Sequence, residues 1–71
     1  MASILKAPEP KDIKDLRKSV NLTQQKAAEL LHSTLRTFQR WEYGTTKMPH
    51  AYWELFAIKI EMLKMSGVKH D

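Results

Sequence analysis

LTQQKAAELLHSTLRTFQRWEYG, residues 22–44, is the stretch whose reading decides the fold. It divides into two short capped helices joined by a tight turn. Thr23 stands where a helix N-cap belongs, because its hydroxyl can accept one of the orphan N–H groups of a first helical turn. Ala27, Ala28 and Leu31 then mark an inward stripe, and the two alanines are small enough to let another helix cross closely. His32 and Ser33 make the turn. His32 falls where a positive φ is expected, a position that suits glycine best but that histidine tolerates better than most residues. Thr34 caps the next helix, which runs from about Leu35 to Glu42 or Tyr43 and stops at Gly44.

The flanks extend the pattern. Upstream, Pro10 suits a first helical turn, where its missing N–H costs nothing. Ile13, Leu16 and Val20 recur at helical spacing. Asn21 is a natural stop, and Leu22 is the buried residue of the following turn. Residues 1–9, which include Pro8, read as a flexible arm. Downstream, Thr45 to Pro49 reads as a polar loop with Lys47 at its exposed centre. A longer helix then runs from about residue 50 to Met65, with Gly67 ending it and Val68 to Asp71 fraying. The expectation is an all-α compact domain, residues 10–66, of four or five helices with a central helix-turn-helix and a longer C-terminal helix, followed by a tail at 67–71.

With 71 residues there is room for one small core. The hydrophobic share of 42% and charged share of 28% are ordinary for a globular domain. No cysteine is present, which removes disulfides and thiolate metal sites. No apolar run is long enough to span a bilayer, and Met1 to Lys6 lacks the apolar region of a signal peptide. A cytoplasmic protein of a prokaryotic cell, or one associated with its nucleoid, is expected. The net charge of +4 favours an anionic partner, although the placement of the arginines matters more than the total.

That placement is informative. With Phe38 pointing inward and about 100° per residue, Trp41 falls on the same side. Arg36, Arg40 and Tyr43 fall opposite, with Gln39 on the flank. The major groove of DNA admits one helix and displays a distinct donor and acceptor pattern for each base pair. Arginine matches guanine O6 and N7 with two parallel bonds, Gln39 is suited to adenine, and Leu35 to a thymine methyl. The competing reading is a solvated arginine face, and the flanking caps and turns favour DNA over it. Gln24 and Gln25, at the start of the second helix, are candidate phosphate contacts, as are Tyr43, Thr45 and Lys47 beyond the third. Ordinary capping and loop roles compete with each of these, and Tyr43 can equally cover the end of the core.

On these residues the sequence resembles the lambda-type helix-turn-helix family of phage repressors, Cro proteins and xenobiotic-response-element regulators. The resemblance spans Ile13 to about Pro49. It rests on Ile13-x-x-Leu16-Arg17, Asn21-Leu22-Thr23-Gln24, Ala28, Thr34 and Phe38-x-x-Trp41-Glu42-x-Gly44. It implies an α domain of five helices or fewer that binds a palindromic operator as a symmetric dimer. Base-reading positions then fall on Leu35, Arg36 and Arg40. Phosphate clamps fall on Gln24, the backbone around Gly44, and Lys47. It also implies that Arg17 pairs with Glu42, tying the first helix to the third. Three departures stand out: His32 replaces the usual turn glycine, Ala27 a larger aliphatic residue, and Leu30 a residue that is often polar.

The last helix carries apolar residues on two sides. Trp53, Phe56, Ala57, Ile60 and Leu63 form one stripe, and Ala51, Leu55, Ile58, Met62 and Met65 the other. A surface helix of a monomer needs only one such stripe. The second, represented by Leu55, Ile58, Met62 and Met65, is therefore expected to meet another copy of the chain, giving a homodimer on an inverted-repeat operator.

The functional expectation is a small repressor of phage or mobile-element type, controlled by its own concentration and dimerisation. The alternative is an antitoxin, in which the second stripe or the arm binds a toxin protein. RNA binding is a weaker third reading. No catalysis, metal or cofactor is expected, since His32, His50 and His70 are scattered without partnered carboxylates or a phosphate-cradling loop.

Overall fold

The computed structural model describes residues 7–66 and contains four helices there: α1 (Pro10–Lys18), α2 (Gln24–Leu30), α3 (Leu35–Tyr43) and α4 (His50–Met65). The protein is all-α over these residues. The expected arm residues 1–6 and tail residues 67–71, including the stop at Gly67, lie outside them.

The capping residues act as their chemistry suggests. Thr23 Oγ1 accepts the Lys26 N–H at 3.1 Å, and Thr34 Oγ1 accepts the Thr37 N–H at 3.1 Å. Both satisfy N–H groups that the helix itself leaves unpaired. At the start of α1, the Asp12 carboxylate accepts the Glu9 N–H at 3.1 Å. Glu9 is thus the helix N-cap rather than part of a loose arm, as the sequence boundary at residue 9 had it.

The first three helices end in the same way. Asn21, His32 and Gly44 adopt φ of 59°, 57° and 84°. After each, the next N–H reaches back five residues: Leu22 to the Arg17 carbonyl at 3.2 Å, Ser33 to Ala28 at 3.0 Å, and Thr45 to Arg40 at 2.9 Å. The positive-φ residues bond three residues back, to Lys18, Glu29 and Trp41. These paired bonds are the Schellman arrangement, which satisfies the last carbonyls and turns the chain sharply. In α1 this closing turn takes up Val20, which packs half-buried against the core from outside the regular helix.

At Gly44 the turn also runs close to the start of α1. A Cβ there would lie 3.1 Å from Pro10 Cγ, in a backbone conformation that disfavours any L side chain. Gly44→Ala is expected to cost about 1–2 kcal/mol, read as a lowered denaturation midpoint with unchanged helicity. An unchanged midpoint would show that neither the contact nor the φ matters.

The core gathers Ile13 from α1, Ala27, Ala28 and Leu31 from α2 and its cap, Phe38 and Trp41 from α3, and Trp53, Phe56 and Ile60 from α4. The ring of Phe38 lies 5.7 Å from Phe56 and 6.3 Å from Trp41 between centroids, both pairs in the T-shaped geometry that aromatic quadrupoles favour. α3 packs on both α1 and α2, and α1 also packs on α4. Met48, in the loop expected to be polar, is also fully buried. Its thioether side chain anchors the chain between α3 and α4, a role compatible with its lack of branching.

α4 needs one correction. Leu55, expected on the outward stripe, is half-buried and packs against the core. The helix wheel places it at the margin between the two stripes, where the rest of the domain still covers it. Ile58, Met62 and Met65 remain exposed at 53%, 62% and 77%. No helix among the described residues is long and apolar enough to cross a membrane.

Candidate nucleic-acid interface

Phe38 and Trp41 seat α3 in the core and so fix which of its faces looks outward. On that face Arg36 and Arg40 are exposed, one helical turn apart. Among the described residues neither is held in an ion pair. Tyr43 is 67% exposed at the end of the same face, and Lys47 is exposed in the loop beyond it. Leu35 and Gln39 are half-buried at its edges. The acidic residue of α3, Glu42, is turned inward and buried. The outward surface is therefore cationic without a compensating carboxylate from its own helix.

Glu42 is the hub of a polar cluster behind that surface. Arg17 Nε donates to Oε2 at 2.8 Å and Nη2 to Oε1 at 3.0 Å, a bidentate pair with both side chains largely shielded from water. Arg17 Nη1 also donates to the Leu22 carbonyl at 2.8 Å, so one guanidinium ties together α1, the turn before α2, and α3. Burial pushes the Glu42 carboxyl up. The hydrogen bonds from Arg17 and Gln24, the Arg17 charge and more weakly Lys14 pull it down, and the net position is below the ordinary 4.5. The carboxylate is ionised at neutral pH.

Gln24, expected to clamp a phosphate through its amide, is already engaged. Its Nε2 donates to Glu42 Oε1 at 2.6 Å and to the Tyr43 hydroxyl oxygen at 3.4 Å, while its Oε1 accepts from Gln39 Nε2 at 3.1 Å. An amide has two N–H donors, and both are used here. A phosphate needs donors, so this side chain cannot serve one without breaking the cluster. What this end of α2 still offers an anion is its free backbone N–H groups.

Gln25 points along α2, donating to Glu29 at 3.1 Å. Thr45 is exposed, and its N–H is spent on the cap of α3. Tyr43 receives the Gln24 bond on its oxygen, which leaves its hydroxyl proton to donate outward.

Three features escaped the sequence reading. Met48 sat among polar loop residues and carried no periodicity signal. The ring of Tyr52 lies 5.1 Å from Trp41, covering its outer side, although Tyr52 belonged to neither stripe. His50, read as a surface or capping residue, is half-buried with Nδ1 enclosed and unpaired among the described residues.

The chain is similar to the Type II methyltransferase M.MspI of Moraxella sp, with 35% identity over 52 residues. That stretch is 73% of this chain and 12% of the methyltransferase, so the chain spans about an eighth of the curated relative it matches. No family model matches the chain.

Proposed function

We propose that the chain is a sequence-specific double-stranded DNA-binding regulator, a small repressor that docks α3 in the major groove. One observation carries the reading: Arg36 and Arg40 stand exposed and without ion-pair partners on a helix whose other face is locked into the core. Arginine in that setting can give its full fork to guanine O6 and N7. Lys47, the Tyr43 hydroxyl, Thr45 and the free N–H groups at the start of α2 would frame the helix on the phosphate backbone. The similarity to part of a methyltransferase is compatible with a non-catalytic module, since the matching stretch is a small fraction of that protein. We assign the chain no catalytic role and no cofactor.

The proposal includes a homodimer. Ile58, Met62 and Met65 form a continuous exposed apolar stripe on α4. Beside it, Leu30 of α2 and Leu63 of α4 line an open groove with Lys59. Leu30 is the departure noted in the sequence, an apolar residue at a position that is often polar, and the groove gives it a role. A second copy placed against this surface presents two α3 helices to DNA, which calls for an inverted repeat.

Selection of bound duplexes from a randomised pool, paired with sedimentation, tests both halves. Wild type is expected to sediment as a dimer and recover guanine-bearing half-sites repeated in inverted order. Ile58→Asp is expected to sediment as a monomer and recover single half-sites with weaker binding. A dimer that survives Ile58→Asp removes this interface. A pool that shows no enrichment with wild type removes the DNA reading.

A further inference from the structure

The polar cluster behind α3 has a direction. Ionised Glu42 can only accept hydrogen bonds, so the NH₂ group of Gln24 must face it, as the 2.6 Å contact shows. The carbonyl oxygen of Gln24 is thereby turned towards α3, where it accepts the Nε2 of Gln39 at 3.1 Å. That bond fixes the Gln39 amide in turn, with its NH₂ end towards α2. An unsupported glutamine amide can present either end to a ligand. Gln39 cannot flip without placing two carbonyl oxygens against each other.

What remains on Gln39 is one N–H and the carbonyl oxygen, neither of them bonded within the described residues. The carbonyl oxygen is reachable by solvent, because His50 Nδ1 is the one buried side-chain nitrogen or oxygen without a partner among the described residues. A donor and an acceptor side by side on one amide match the major-groove edge of adenine, where N7 accepts and the N6 amino group donates. Guanine offers two acceptors on that edge and leaves the amide oxygen unmatched.

We infer that Gln24 is a positioning residue for base recognition. Held by Glu42 and Arg17, it sets the polarity of the Gln39 amide so that Gln39 selects adenine within the half-site read by Arg36 and Arg40. This rests on the DNA reading proposed above and assigns Gln24 a different task from a phosphate clamp. Selectivity arises from a directed chain of hydrogen bonds that begins at a buried carboxylate on the opposite side of the reading helix.

Base analogues separate this inference from the reading it rests on. In the duplex selected by wild type, 7-deazaadenine removes the N7 acceptor at one adenine at a time, and 7-deazaguanine does the same for guanine. At one adenine per half-site, wild type is expected to lose about tenfold in affinity on 7-deazaadenine. Gln39→Met is expected to lose that sensitivity. Gln24→Leu and Gln24→Asn should reduce it to about threefold or less while keeping full sensitivity to 7-deazaguanine and unchanged binding to unrelated duplex. Melting curves identify any variant that fails to fold, and the wild-type analogue series stands without the variants.

If wild type is indifferent to 7-deazaadenine at every position but sensitive to 7-deazaguanine, Gln39 is not an adenine reader and DNA recognition by the arginines stands. If both Gln24 variants fold and keep the full adenine sensitivity, Gln24 has no positioning role. Indifference to both analogues overturns the inference together with the major-groove reading.

Discussion

Arg36→Ala and Arg40→Ala are each expected to weaken binding to a selected duplex by about tenfold or more while barely changing binding to unrelated DNA. The expectation follows from where the two guanidinium groups sit. Both are exposed and free of ion pairs among the described residues, so wild type breaks no internal contact in offering them to bases. A bidentate arginine–guanine contact carries roughly 1–3 kcal/mol of discrimination. Lys47→Ala should behave differently. Its contact is to phosphate, so affinity for all duplexes falls together and the salt slope flattens by about one ion. Competition binding at several salt concentrations distinguishes the two classes. Arginine variants that bind both duplexes like wild type would show that α3 is not the reading element.

Removing Arg17 should have the largest effect on stability. In Arg17→Met the Glu42 carboxylate keeps its burial and loses the bidentate pair, and the Leu22 carbonyl loses its donor. An uncompensated buried charge costs about 3 kcal/mol or more, a large part of the stability of a domain this small. The double variant Arg17→Met/Glu42→Leu should recover most of the loss, because it removes the stranded charge as well. Equal midpoints for the single and double variants would show that the pair is energetically idle.

Acidification gives the same interaction a sign. In wild type the folded Glu42 carboxyl sits below the ordinary 4.5. Its stabilisation is therefore fully present above about pH 4.5 and lost as the pH falls through the folded value. In Arg17→Met both Arg17 contributions that hold the carboxyl down are lost, so it is expected to rise relative to wild type. The folded variant binds the proton more readily than folded wild type, so it loses less stability as the pH falls. The stability gap between the two proteins should narrow on acidification. A gap independent of pH would place the cost of Arg17→Met outside its pairing with Glu42.

The backbone of the fold was legible because local chemistry punctuates it. Thr23 and Thr34 cap, and Asn21, His32 and Gly44 stop, since these residue types solve the problem of unpaired groups at helix ends. The face of α3 followed from the spacing of Phe38 and Trp41. Neither residue spacing nor composition pointed to the proximity of Arg17 and Glu42, which came only from the family resemblance. Leu55 was placed outward because a helix wheel shows faces but not where neighbouring elements end. Met48 was missed because one buried residue in a loop has no period. Gln24 was given to phosphate because its sequence position allows that role. Which donors it has left depends on a carboxylate 18 residues away in the chain.

Backbone amide shifts, followed as a short mixed-sequence duplex is added at low salt, test the central claim most directly. Docking through α3 predicts shifts gathered on residues 35–43, the first turn of α2 and the loop at 45–47. Shifts confined to the outward face of α4, or no shifts at all, would contradict it.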